Sequence, residues 1–216
     1  MQSAAQPANA LRHHGLRFQR CTPCRRALLE PPDAPAANHS GMVAFWLMPA
    51  RREASFLVSL VVRLAAQHDA PLFEPHLTLY AGQIAAEGAV KVLNSIQLPQ
   101  SCDLHVERVD SSEKFTKALF VQFRAAPELQ QLSNSLRAAV NGDRSYKLNP
   151  HLSLLYKEMP HEAKAELART ISIPFQHISF DRLQVIAGND RASTRRDVES
   201  WQTLAARDLT PTAQHS

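Results

Sequence analysis

Cysteine is scarce in this chain, and glycine is scarcer than proline. Cys21, Cys24 and Cys102 are the only three cysteines in 216 residues, too few to frame a disulfide-stapled fold, which fits a reducing compartment and a cytoplasmic location. Six glycines against 14 prolines exclude a flexible low-complexity chain and point to frequent ordered turns. No glycine-rich phosphate loop and no Gly-x-Ser-x-Gly elbow occur, so neither P-loop nor α/β-hydrolase chemistry has a local signature. Long hydrophobic runs are missing too. The longest, over 56–66, is broken by Ser59 and Arg63 and falls short of the roughly 20 residues of a membrane span. The expectation is a soluble protein that engages no membrane.

The hydrophobic share of 44% and charged share of 20% are those of a globular chain, and a chain of this size buries roughly 70% of its unfolded surface. The net charge of +4 hints at nucleic acid until its distribution is read. Residues 1–41 carry Arg12, Arg17, Arg20, Arg25 and Arg26 against Glu30 and Asp33, which leaves a body of 19 basic and 18 acidic residues. The basicity therefore belongs to the leader. This leader lacks hydrophobic periodicity, ends in Pro31-Pro32-Asp33-Ala34-Pro35, and reads as disordered. Because Met42 stands directly before the first strand-like run, 1–41 reads as a mis-assigned start, with an Arg-rich transit peptide as the alternative. Cys21-Thr22-Pro23-Cys24 beside His13 and His14 has no second ligand pair at finger spacing and reads as incidental thiols, not a zinc site. No metal and no other cofactor is expected.

From Val43 onward the pattern predicts the order β-α-β-α-β-β-α-β-α-β-β. A strand over 43–48 leads into a helix over 52–68, where Phe56, Leu60, Val61 and Leu64 recur at three- and four-residue spacing. Helices are also expected over 85–96, 127–140 (opened by Pro127 and closed by Asn141-Gly142) and 161–169. A hairpin is expected from 103–109 and 115–123, joined by Asp110-Ser111-Ser112, and two last strands from 175–186 and 198–206, separated by a charged loop. Two strands remain, and they carry the chemistry.

Phe73-Glu74-Pro75-His76-Leu77-Thr78-Leu79-Tyr80 and Leu148-Asn149-Pro150-His151-Leu152-Ser153-Leu154-Leu155-Tyr156 share the string Pro-His-Leu-(Thr/Ser)-Leu, 75 residues apart. Successive side chains of a strand alternate faces, so each string groups its imidazole with its hydroxyl and sends its leucines to the opposite side. One such string carries little information, since a structural histidine explains it. Two with a matched proline, histidine, hydroxyl and leucines point to a repeated device facing one cleft. Histidine, with an ordinary pKa of about 6.5, serves as base or acid near neutrality. One imidazole can deprotonate a water while the other protonates a leaving oxygen, and Thr78 and Ser153 can donate to non-bridging phosphate oxygens. His68, His105, His161 and His177 sit in no pair at metal spacing and read as structural.

With His76-Leu77-Thr78-Leu79 and His151-Leu152-Ser153-Leu154 in place, the chain resembles the 2H phosphoesterase superfamily, and within it the cyclic phosphodiesterase family of plants, yeast and bacteria. Phe45-Trp46-Leu47-Met48-Pro49 looks like that family's opening strand, Val106-Glu107-Arg108-Val109 like a middle strand, and 150–156 is close to a family signature. The resemblance spans roughly 42–209. It implies an α+β, bilobal, duplicated fold of mainly antiparallel sheets around a central cleft, with helices outside. It also implies metal-independent opening of ADP-ribose 1'',2''-cyclic phosphate or nucleoside 2',3'-cyclic phosphates, with His76 and His151 as the acid/base pair and Thr78 and Ser153 as phosphate ligands. Tyr156 matches a motif tyrosine near the substrate, whose alternative is a core tyrosine. Lys117 and Phe115 are further candidates for substrate contact, against a reading of Lys117 as a solvated lysine on an outer strand. Ser112-Glu113-Lys114-Phe115-Thr116 departs from the glycine- and aromatic-rich turn of the plant relatives, so their substrate contacts do not carry over there. The alternatives are an enzyme acting on RNA ends, similar to 2'-5' RNA ligases, and a nucleotide-binding module without turnover. A near-neutral body argues against tracking an RNA backbone, and both complete motifs favour turnover. A monomer is expected.

Overall fold

The computed structural model describes residues 41–188 and 192–209. The expectations placed on the leader, including the Cys21/Cys24 pair and the mis-assigned start, lie outside the described residues. β1 (Met42–Pro49), α1 (Arg51–His68), β2 (Leu77–Gln83), α2 (Ala86–Ser95) and β3 (Cys102–Ser111) make a first half. A single 3-10 turn (Phe115–Lys117) leads to β4 (Leu119–Phe123), α3 (Pro127–Ala139), β5 (His151–Leu155), α4 (His161–Thr170) and β6 (His177–Gly188), which repeat that order. α5 (Arg195–Glu199) and β7 (Gln202–Asp208) follow.

The pairings obey the same repeat. β1 pairs with β2 as β4 pairs with β5, and β6 returns to β1 as β3 pairs with β4, every ladder antiparallel. The lobes β2–β1–β6 and β5–β4–β3, each built from strands of both halves, meet through one residue pair, Leu77↔Leu152, and through the first residues of β6, His177–Phe180, on β3. β7 lies on the outer flank of β6. Two lobes thus share one continuous ladder, as an α+β duplication requires. Each lobe's long helix packs on the other lobe's histidine strand, α1 on β5 and α3 on β2.

Apolar spacing explains the helices. α1 buries Leu57, Leu60, Val61, Leu64 and Ala65, one stripe at three- and four-residue intervals. Phe56 lies at the edge of that stripe, its ring edge-on to Phe175 at 5.5 Å. α3 starts with Pro127 at its first turn and buries Leu129, Leu132, Ser133 and Leu136, then ends at Asn141, which takes a left-handed φ of 53°. A side chain at Gly142 would collide with the Tyr80 hydroxyl, which accepts from the Asp143 amide at 2.9 Å.

Two sequence expectations fail. The second arm of the hairpin begins at Leu119, because Phe115 to Lys117 coil into the 3-10 turn, tied by Ser112 Oγ donating to the Lys117 carbonyl at 2.7 Å; Asp110 and Ser111 instead extend β3. Val198 is helical, not the start of a strand. Thr194 and Asp197 form a capping box that nucleates α5 across the expected charged loop. Among the described residues no helix is long and apolar enough to cross a membrane.

Candidate active site

Register is what brings the two motifs to the cleft. Leu77 and Leu79 of β2, and Leu152 and Leu154 of β5, are wholly buried, each burial contributing roughly 1.5–3 kcal/mol. A one-residue slip would send those leucines to the cleft and His76 and Thr78 into the core, so the core sets where the motif points. Both strands then bulge at the same place. Trp46 pairs with Thr78 but Phe45 with Tyr80, leaving Leu79 extra; Phe120 pairs with Ser153 but Leu119 with Leu155, leaving Leu154 extra. Such bulges re-aim a strand beside functional sites. The carbonyl of Leu79 accepts from the buried Ser133 hydroxyl at 2.7 Å.

The histidines are anchored alike. The His76 Nδ1–H donates to the Glu74 carbonyl at 2.6 Å, and the His151 Nδ1–H to the Asn149 carbonyl at 2.7 Å. In each case the acceptor belongs to the residue before the motif proline, which is biased to extended backbone. This assignment puts the neutral ring's proton on Nδ1 and leaves Nε2 for chemistry. Their surroundings differ. The Trp46 indole stacks on His76 at 3.4 Å and 7°, whereas Phe120 meets His151 edge-on at 5.6 Å. Burial pushes His76 down to about 3, opposed by its bond to Glu74 and aided by His151. Burial pushes His151 down to about 4, opposed by Asn149 and aided by Lys117 and Lys114. Both shifts favour the neutral ring at pH 7.

His76, Thr78, His151, Ser153, Tyr156, Lys117 and Phe115 all line one cavity of about 860 Å³. The two hydroxyls are not equivalent. The Thr78 hydroxyl makes no hydrogen bond to any described residue, while the Ser153 hydroxyl donates to the Thr116 carbonyl at 2.8 Å, so in this state Ser153 has no proton to offer a phosphate oxygen. Tyr156 is both a core and a cleft residue: it is buried, its ring stacks on Phe73 at 3.8 Å, and its hydroxyl bonds Ser153. One ring face is therefore closed to a sugar or base. Lys117 belongs to the 3-10 turn and not to an outer strand, with Nζ 4.0 Å above the Phe120 ring. Its pKa is lowered by burial and then by Lys114, with Asp110 opposing.

Sequence reasoning missed Trp46, Trp201, Lys114 and Lys147 as cleft residues. Alternation in β1 carried the signal for Trp46, since Val43, Phe45 and Leu47 fill the core while Ala44, Trp46 and Met48 face away from it. Trp201 had no local signal. It meets Trp46 edge-on at 5.1 Å, and any side chain at Gly188 would occupy the place of its indole. Lys114, Lys117 and Lys147 line the cavity, and no aspartate or glutamate does among the described residues. A body with balanced charge thus concentrates cations at one place.

Two lobes, each presenting a His-x-(Thr/Ser) strand to a shared cleft, define the fold of the 2H phosphoesterases. Escherichia coli LigT, solved with 3'-AMP, matches with a TM-score of 0.54 at 17% identity, over 79% of this chain and 98% of that one. A protein of Thermus thermophilus matches with a TM-score of 0.53 at 13% identity, over 79% and 98%. The family of cyclic phosphodiesterase-like proteins matches residues 42–209, and the chain belongs to that family of phosphodiester hydrolases. The cyclic phosphodiesterase of Arabidopsis thaliana is 27% identical over 176 residues, 77% of this chain and 94% of that protein.

Proposed function

We propose that residues 42–209 form a metal-independent cyclic phosphodiesterase that opens small nucleotide cyclic phosphates, either nucleoside 2',3'-cyclic phosphates or ADP-ribose 1'',2''-cyclic phosphate. One observation carries this reading: two identically anchored imidazoles line a single cavity whose described walls hold three lysines and no carboxylate. Such walls attract a phosphate and offer a divalent cation no hard anionic ligand. A neutral ring accepts a proton at Nε2 from the attacking water as its oxygen bonds phosphorus. The other ring, protonated in company with the substrate anion, gives its Nε2 proton to the leaving ribose oxygen as the P–O bond breaks. The product is a ring-opened phosphomonoester, and the two rings exchange protonation states, to be reset by solvent. Thr78, with its proton uncommitted, donates to a non-bridging oxygen where charge gathers.

A second reading is an enzyme acting on cyclic-phosphate RNA ends, favoured by the three cleft lysines, which suit a further backbone phosphate. The deciding assay incubates the full chain, with and without EDTA, with adenosine 2',3'-cyclic phosphate, ADP-ribose 1'',2''-cyclic phosphate or a cyclic-phosphate-ended oligonucleotide, and identifies the products. Turnover of the small nucleotides in EDTA is expected, and exclusive turnover of the oligonucleotide would transfer the assignment to RNA ends. Binding without turnover would make the chain a nucleotide-binding module. His76→Ala and His151→Ala should each lower kcat by about 10²–10⁴; losses within about threefold would overturn the two-histidine mechanism.

A further inference from the structure

α4 contains a lysine that the chemistry above does not use. Lys164 is 2% exposed, and its Nζ donates to Glu113 Oε2 at 2.7 Å. The Nδ1–H of His161, one turn earlier on the same helix, donates to Glu113 Oε1 at 3.1 Å. A buried ammonium is costly unless paired, and an apolar side chain of the same length would pack at least as well. The charge calls for a role other than packing.

Glu113 supplies it, because of where it stands. It opens the segment 113–117, which brings Lys114, Phe115, Thr116 and Lys117 to the cavity wall. The base of this loop is closed by the Ser112 amide donating to the Ala118 carbonyl at 3.3 Å and by the Lys117 amide donating to the Lys114 carbonyl at 2.9 Å. Its middle is held to β5 through the Thr116 carbonyl and Ser153. Its outer corner is tied within the loop by the Lys114 amide donating to Ser112 Oγ at 3.3 Å, and across to α4 by Glu113. We propose that Lys164 and Glu113 form a latch that positions the β3–β4 loop, and with it Lys114, Lys117 and the Thr116 carbonyl, against His151 and Ser153. These are positioning residues: neither lines the cavity.

The latch has a reporter in His151. The charged and titratable groups around it are Lys114 and Lys117 on the loop, Lys147 ahead of β5, His76 on β2 and Tyr156 after β5. Asp110 of β3 acts on Lys117 and is itself bound by Arg108 at 2.9 Å. Of these groups only the loop lysines depend on the latch. Releasing the loop moves two cations away from His151 and lets its pKa climb, while His76 keeps its Trp46 cover and does not follow.

The test uses Lys164→Met, which keeps the buried stem and leaves Glu113 mostly in water, together with Glu113→Ala and the double variant. Hydrogen exchange of the 113–117 amides should quicken at least about tenfold in each single variant, as expected when a local anchor is lost. The His151 imidazole midpoint, read by NMR, should rise by about one pH unit with His76 unmoved, as expected when two nearby like charges withdraw. The double variant should be no worse than Glu113→Ala, because the Lys164 side chain acts on the loop only through Glu113, whereas Lys164→Met leaves the His161 bond to Glu113 in place. These readouts need no turnover, so they stand apart from the proposed activity on which the functional arm rests. In that arm kcat/KM on adenosine 2',3'-cyclic phosphate falls about tenfold in each variant, the size expected when a positioning contact near the chemistry is loosened. Unchanged exchange and an unmoved His151 midpoint in Lys164→Met would overturn the latch, as would additive losses in the double variant. If either single variant does not fold, the double variant, which leaves no buried ammonium without its partner, decides by the same readouts.

Discussion

Replacing His76 by glutamine, which keeps a side-chain donor for the Glu74 carbonyl but does not titrate, should make the protein more resistant to acid. The native pKa of His76 is about 3, chiefly through burial, against about 6.5 in the unfolded chain. Because the native value is depressed, the unfolded state binds more protons throughout the interval between them. Stability is therefore fullest above pH 6.5, falls as pH drops towards 3, and stops falling below it. At pH 4.5 the unfolded histidine is almost fully protonated and the native one is not, so His76 alone lowers stability by about 2.5 kcal/mol relative to pH 7. With urea m-values of roughly 1–3 kcal/mol per molar, that corresponds to about 1–2.5 M in the unfolding midpoint. Urea titrations of wild type and His76→Gln at pH 7 and 4.5, at constant ionic strength, isolate this contribution from the carboxylates common to both. The wild-type midpoint should fall further than the variant's by that margin. Parallel falls would show that His76 titrates normally in the folded protein, and would refute a dry, neutral imidazole under Trp46.

The unequal hydroxyls predict unequal variants. Thr78→Val should lower kcat by about 10²–10³, the usual effect of removing one oxyanion donor; Ser153→Ala should cost less than a tenth of that in steady-state kinetics, since its proton is held by the Thr116 carbonyl, and equal losses would contradict this reading. Gly188→Ala places a methyl where the Trp201 indole lies, so it should displace that wall, raise KM more than it lowers kcat, and change the tryptophan emission; unaltered emission and kinetics would place Trp201 outside the site.

Those features of the fold that depend on local pattern were legible. The buried stripe of α1, Pro127 at the head of α3 and Asn141 in a left-handed turn at its end were all written in residue order. So was the pairing of His76 with Thr78 and of His151 with Ser153, because strand alternation and the need to bury Leu77, Leu79, Leu152 and Leu154 leave one register. Features created by distant contacts were not. The 3-10 turn over Phe115–Lys117 looks like strand because its aromatic and β-branched residues favour one, and hydrogen bonds donated by the Ser112 and Ser153 hydroxyls to its carbonyls decide otherwise. α5 was nearly legible: Thr194 and Asp197 have the spacing of a capping box, hidden by the charged residues between them. Trp201 joins the cleft only because β6 presents a glycine at 188. Local charge was hidden in the same way, since a balanced total conceals three lysines gathered from two separate loops.

The repeat explains why one motif was easy to find twice, and the departures from it explain how it can work once. Two histidines in identical settings would share one protonation behaviour, yet a single turnover needs one to take a proton while the other gives one. The backbone repeats faithfully, down to the extra residue at Leu79 and at Leu154 and the carbonyl that anchors each Nδ1. The difference comes from what is laid over that backbone. A stacked indole dries His76, while the loop between β3 and β4 brings two cations to His151 and occupies the Ser153 proton. In the proposed reaction a substrate phosphate would offset the cations beside His151 directly and leave the indole on His76 in place, so it would act on two unlike imidazoles. The asymmetry that the proposed acid/base mechanism needs is therefore to be sought in Trp46 and the β3–β4 loop, not in the repeated strings themselves.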